Sequence, residues 1–275
     1  MKIEAITLRE IQMPLVQFFE TSFKRTFSRQ ILLLTIHCDG IDAWGECVAG
    51  EDPFYSSEWT ESAWPTIKHY LAPAVLGRTL SSAHESVPLM ARVRGHDMAK
   101  AAVENALWDA EAQEKQLPLW KLLGGTLHEI SCGVSIGIQD SIEQLLEKIQ
   151  TELAAGYRRI KVKVKPGWDV NVLERIRSRW PEIVLSCDAN SAYTLDELEH
   201  LRKFDQFNLL MIEQPVSRRH LLPLPPAKRA AYRDLPGRIH SPCPGRGQGL
   251  GSWRVPHYQH QGRPGGRIHR SQEGS

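Results

Sequence analysis

Long apolar runs are missing from this 275-residue chain, so no segment is expected to span a membrane. Cysteine is sparse: Cys38, Cys47, Cys132, Cys187 and Cys243 are scattered and form no C-x-x-C pair. An odd, dispersed set argues against a disulfide framework or a zinc site and fits a reducing cytoplasm. A glycine-rich phosphate loop of the nucleotide-binding type is also missing. The opening stretch MKIEAITLREIQMPL alternates apolar with polar and acidic residues. It argues for a strand rather than a secretory signal.

Acidic residues are nearly absent from one region. Residues 217–275 hold 2 of the 32 Asp+Glu but 11 of the 34 Lys+Arg, together with 8 of 17 prolines and 9 of 20 glycines. Subtraction leaves 23 basic and 30 acidic residues in 1–216, net −7, against +9 in the tail, so the overall +2 joins two unlike pieces. Such a tail has the composition of a disordered segment. Its PGRGQG and RPGGR stretches raise a non-enzymatic alternative, a basic nucleic-acid-binding tail. The aromatic spacing of a stacking platform is missing, which argues against nucleic acid as a partner.

What is present reads as an α/β chain. Residues 2–15, 29–38 and 43–49 are expected strands, with an Asp39-Gly40 turn between the last two. Helices are expected over 57–71 and 82–94. A third starts with Asp97 as N-cap and carries Ala102, Val103, Ala106, Leu107 and Ala110 at helical spacing. From residue 130 the rhythm changes. Strands SCGVSIGI, RRIKVKV, IVLSCDAN and NLLMIEQP alternate with helices over 141–155, 169–180 and 194–204. A βα repeat of about 25 residues indicates a parallel sheet. The expected organisation is an N-terminal α+β capping domain (1–125), the first part of a (β/α) TIM-type barrel (126–216), and a disordered basic tail (217–275). Doubly wound sheets give the same local pattern. Only four barrel strands can be read where a barrel needs eight, and no strand–helix pair can be read beyond Val216.

In RRIKVKVKPGW, Ile160, Val162 and Val164 face one way and Lys161, Lys163 and Lys165 the other. On an isolated strand the lysines would form a solvated face. In a parallel barrel both faces are covered, and lysines near the strand's C-terminal end reach the site mouth. Asp188 and Glu213 close successive strands 25 residues apart. Each alone could simply cap the next turn. Together, at the catalytic end of a barrel, they suit Mg²⁺ or another divalent cation. Such a site can remove a proton α to a carboxylate, because a cation offsets the second negative charge that develops. The base must be a neutral lysine, and nearby positive charge with partial desolvation is expected to lower its pKa.

At these residues the chain resembles the enolase superfamily, in its o-succinylbenzoate synthase / N-acylamino acid racemase group. The matching stretches are WGECVAGEDPFYSSEW, AAVENALWDAE followed by LPLWKLLGG, GYRRIKVKVKPGWDV, CDAN and IEQP. The resemblance covers roughly residues 1–216. It implies a capped, modified TIM barrel with bound Mg²⁺, Lys163 as the acid/base with Lys161 assisting, and Asp188 and Glu213 as metal ligands. It also implies substrate contacts at Ser135, Asn190 and the capping-loop Tyr55. The implied reaction is dehydration of a cyclohexadiene carboxylate to o-succinylbenzoate in menaquinone synthesis. The alternative is N-acylamino acid racemisation. A small carboxylate is the implied partner, and intact relatives are expected to be homo-oligomeric.

The group's L-D-E-S-I strand and K-x-G-R-x-G-G stretch do not occur here. Codons for residues 235–241, read one nucleotide later, permit L-D-E-S-I. Those for 258–270 permit I-N-I-K-V-G-R-V-G-G-F-T. The shifted aspartate spans the Gly237 and Arg238 codons, and the shifted lysine the Gln261 and Gly262 codons. The expectation is a reading-frame change near codon 216. It leaves a chain with two of three metal carboxylates and little or no activity, a decayed fragment being a further alternative.

Overall fold

The computed structural model describes residues 1–217 and the backbone of 238–240. Two compact units result. One comprises Met1–Phe19 with Arg25–Ile130, and the other comprises Glu20–Lys24 with the chain from Ser131 onward.

The first unit is built on an antiparallel sheet of order β1-β2-β3, with β1 Ile3–Glu20, β2 Arg25–Cys38 and β3 Ile41–Cys47. Strands β2 and β3 pair from Leu32↔Cys47 to Cys38↔Ile41. Asp39 and Gly40 both adopt positive φ, 47° and 78°, which suits the twist of a two-residue hairpin. Strand β1 runs five residues past the expected end at Leu15. Val16 and Gln17 are exposed there and Phe18, Phe19 and Glu20 half-buried, so no core-facing alternation marks the extension.

Helix α1, Asp97–Glu114, packs on β3, and its expected stripe of Ala102, Val103, Ala106, Leu107 and Ala110 is fully buried. The cap differs from expectation. His96 occupies the cap position with φ 52°, and Asp97 is already helical. The orphan amides are satisfied from elsewhere: Met98 N and Ala99 N donate to the Glu58 carboxylate at 3.0–3.2 Å. A carboxylate at a helix N-terminus also complements the helix dipole. Gly45 lets β3 and α1 approach closely, since a Cβ there would meet the Ala102 carbonyl oxygen.

Glu111, on α1, is a buried acid with three partners. It accepts from Ala83 N at 2.7 Å, Ser82 Oγ at 3.2 Å and Lys115 Nζ at 2.6 Å. Burial works to raise its pKa, but the amide, Lys115 and Ser82 outweigh it and hold the carboxyl below its usual value. A depressed acid stabilises the fold fully above its unfolded pKa. That stability is lost as pH falls through the folded value. The Glu111→Gln variant is therefore expected to be less stable than wild type at neutral pH, with the gap narrowing below the ordinary carboxylate range. Urea melts at stepped pH test this, and a gap that stays constant into acid would contradict it.

The second unit carries a parallel sheet of order β4-β5-β6-β7-β8. Its strands are β4 Gly133–Ile136, β5 Arg159–Lys163, β6 Val184–Asp188, β7 Met211–Glu213 and β8 Arg238–His240. Three helices join the first four: α2 Ile142–Ala154, α3 Val170–Arg179 and α4 Leu198–Arg202. Ser141 and Asp169 cap α2 and α3 with side-chain acceptors. Gly156, at φ 101°, follows the end of α2, a conformation that glycine adopts without steric cost. The helix expected over 194–204 is broken into 3₁₀ turns around a short α segment. Ile160, Val162, Val164, Leu185 and Cys187 share one core with Leu145, Ile149, Leu173, Ile176 and Phe204.

The chain is thus α/β, an antiparallel N-terminal sheet followed by a parallel one. Beyond Val216 a short strand pairs with β7, in the register Glu213↔His240. Three residues, Arg-Ile-His, carry too little pattern to be recognised. The remaining expectations for 217–275, disorder and altered frame, lie outside the described residues. No helix among the described residues is long and apolar enough to cross a membrane.

Candidate active site

Strand register assembles the site. Lys163 pairs with Asp188 and Asp188 with Glu213, so three side chains stand in one row across β5, β6 and β7. One step back along the strands, Ser135, Lys161 and Ser186 form a second row. Residues in register on parallel strands share a face. The opposite face of β5 supplies Ile160 and Val162 to the core, joined by Val164 just past the strand, each fully buried. That burial fixes the register, because a one-residue slip would put the lysines there.

Asp188, 2 % exposed, uses its two oxygens differently. Its Oδ1 accepts from Asn190 N at 3.0 Å, so the acid does cap its own turn. Its Oδ2 accepts from Lys163 Nζ at 2.7 Å and lies 3.5 Å from Lys161 Nζ. The turn and the ion pair are therefore made by one carboxylate. Lys161 Nζ also donates to Glu213 Oε2 at 2.7 Å. Lys163, 8 % exposed, donates to Asn190 Oδ1 at 3.0 Å as well. Asn190 sits at φ 45° and its Nδ2 donates to Gln214 Oε1 at 3.4 Å.

At Lys161 burial acts to lower the pKa, but the hydrogen bond and charge of Glu213, with Asp188, raise it overall. As the structure stands, the Lys161 ammonium is a holding charge rather than a base.

Of the expected site residues, Lys161, Lys163, Asp188, Glu213 and Asn190 come into direct contact. Ser135 shares the face by register, opposite Lys161, and is exposed. Tyr55 lies in the first unit and is 65 % exposed. Sequence reasoning missed the supports behind the row. Asp169 accepts from Tyr193 Oη at 2.8 Å and sits 2.7 Å from His200 Nε2. Burial and then Asp169 push the Tyr193 phenol pKa well up, so it stays a donor. Ser191 N and Tyr193 N donate to Gln214 O and Pro215 O, tying the turn after β6 to the turn after β7. No local pattern signals these contacts.

Among the described residues, no group of three His, Cys, Asp or Glu side chains could hold a metal. Two adjacent carboxylates still fit Mg²⁺, a hard cation that takes one or two carboxylates and keeps several waters. A cation here would compete with both ammonium groups for the same oxygens.

The sequence signature of the mandelate racemase / muconate lactonizing enzyme N-terminal domain matches residues 2–124. That of the enolase C-terminal domain-like family matches residues 144–229. An o-succinylbenzoate synthase of Geobacillus kaustophilus is 44% identical over 216 residues, 78% of this chain and 58% of that protein. An N-succinylamino acid racemase of Amycolatopsis is 40% identical over 243 residues, 88% of this chain and 64% of that one. A crystal structure of an enolase-superfamily member from Listeria innocua superposes with a TM-score of 0.79 at 34% identity, over 86% of this chain and 63% of that one. The chain therefore spans well under two thirds of the synthase's length. It belongs to the enolase superfamily, in the group holding the o-succinylbenzoate synthases and N-succinylamino acid racemases.

Proposed function

We propose that the second unit carries the proton-abstracting side of an o-succinylbenzoate synthase site. The observation that supports this best is the row Lys163–Asp188–Glu213 with Lys161 bridging both acids. Lys163, once neutral, accepts the proton α to the substrate carboxylate. The C–H electrons move into the carboxylate as an enediolate, then return to form the new C=C bond as the C–O bond breaks. Lys163 then returns the proton to the departing hydroxyl, so one water leaves. Asn190 orients the Lys163 Nζ, and Lys161 holds positive charge beside the carboxylates. Ser135 and Tyr55 are proposed substrate contacts. Asp188 and Glu213 would hold Mg²⁺, which supplies charge stabilisation for the enediolate.

Racemisation is the second reading, supported by the Amycolatopsis relative. It needs acid/base groups on both faces of one carbon, the second of which would be the lysine across the Gln261 and Gly262 codons in the restored frame. The synthase relative is the more similar of the two, 44% against 40% identical, which favours the synthase reading.

The test is an assay with Mg²⁺ on the cyclohexadiene carboxylate and on an N-succinylamino acid. It compares the 275-residue chain with one whose frame is restored after codon 216. The restored chain is expected to release o-succinylbenzoate and the 275-residue chain little or none. Racemisation without dehydration by the restored chain would overturn the synthase reading. Coding DNA with no barrel-encoding frame downstream would remove the frame-change proposal.

A further inference from the structure

Lys161 and Lys163 lie on β5 and Lys165 follows just past its end. Lys163 makes the proton transfer and Lys161 holds charge beside it. Lys165 is left over. Val164 before it is fully buried in the core, and Lys165 opens the turn after β5, where its N–H donates to Trp168 O at 3.1 Å and its carbonyl accepts from Trp168 N at 2.8 Å. Two residues of extended chain advance about 6.6 Å, so Lys165 stands beyond Lys163 by a distance of the order of a succinyl arm. The Lys165 side chain is 37 % exposed, and its Nζ donates to Glu20 Oε1 at 2.9 Å. Glu20 is itself anchored, since its carbonyl accepts from Ile138 N at 3.0 Å, just after β4. An ammonium has three donors, and Glu20 takes one.

Charge supports the same conclusion. Among the described residues the site's ionic side chains are Lys161, Lys163 and Lys165 against Asp188, Glu213 and Glu20. With Lys163 neutral, as its role as base requires, a divalent cation would leave a net positive charge there, which favours an anionic ligand. The names of both kinds of relative, o-succinylbenzoate synthase and N-succinylamino acid racemase, describe compounds with two carboxylates, one on a succinyl arm.

We infer that Lys165 determines specificity by binding the distal, succinyl carboxylate, and that Glu20 holds the ammonium in place while moderating its charge. This rests on the carboxylate chemistry proposed for Lys163. Titration calorimetry of the full 275-residue chain in Mg²⁺, with o-succinylbenzoate and with benzoate, tests it. The succinyl compound is expected to bind wild type about tenfold more tightly, as a partly exposed charge contact allows. Lys165→Met should erase that preference and leave benzoate unchanged. Lys165→Arg should restore most of it, and Glu20→Gln should widen it by removing a competing carboxylate. If Lys165→Met weakens both ligands equally, the pair is only structural and the inference fails. It fails equally if the preference survives, or if wild type binds both ligands alike. Binding of neither by wild type would also overturn the inference, whereas the proposed function stands or falls on release of o-succinylbenzoate by the restored chain.

Discussion

Replacing Lys163 with arginine in the frame-restored chain is expected to lower α-proton exchange about a thousandfold, within the usual range for losing a general base. Arginine keeps the positive charge that Asp188 needs but does not deprotonate near neutral pH. Alanine would be a poorer test. Asp188 is 2 % exposed and shares its Oδ2 with Lys163 at 2.7 Å. Removing one partner of a buried pair costs roughly 3–5 kcal/mol, so loss of activity in Lys163→Ala would mix chemistry with unfolding. The measurement is deuterium incorporation into substrate in D₂O, followed by NMR, beside a urea melt. Retention of more than a tenth of the wild-type rate by Lys163→Arg would remove Lys163 as the base. The Lys161→Met variant is expected to lose less, because its ammonium serves the carboxylates and makes no proton transfer.

A substitution far smaller in chemistry should do comparable harm to the fold. Gly45→Ala adds one methyl group to β3. That carbon would collide with the Ala102 carbonyl oxygen and lie 3.1 Å from Ala106 N. Both neighbours are helix backbone in α1, so no side chain can swing aside. The strand and helix would have to separate, loosening the buried Ala99, Val103 and Ala106. The expected cost is roughly 3 kcal/mol, the upper part of the range for overpacking. Urea unfolding should show a lower midpoint with a similar slope. A shift below about 1 kcal/mol would mean that the interface yields more easily than its backbone contacts imply.

Periodicity made much of this architecture legible. The α1 stripe and the β5 alternation follow from which positions are apolar, and the structure buries those positions. Asp188 and Glu213 stood out because each ends an apolar run. Other features needed tertiary approach. Glu58 caps α1 from a loop about 40 positions away, and nothing near Asp97 announces it. Glu20 meets Lys165 across 145 positions of sequence. Asp169 stood at the start of the expected helix over 169–180, but its bonds to Tyr193 and His200 were not visible. Sequence showed Lys161 and Lys163 beside one another, whereas the ion pairing of Lys161 with two acids needed the register of the neighbouring strands.

The strand register has a consequence for how this site can vary. Lysines and valines alternate on β5, and both faces are committed, one to ammonium groups and one to core. Substitutions can therefore tune the site by degrees, a methyl or a charge at a time. Insertions and deletions have no such gradation. One extra residue ahead of Lys161 would exchange the two faces at once, drive three ammoniums against α2 and α3, and leave aliphatic side chains beside Asp188 and Glu213. Lineages that carry this strand are thus free to drift in identity but not in length.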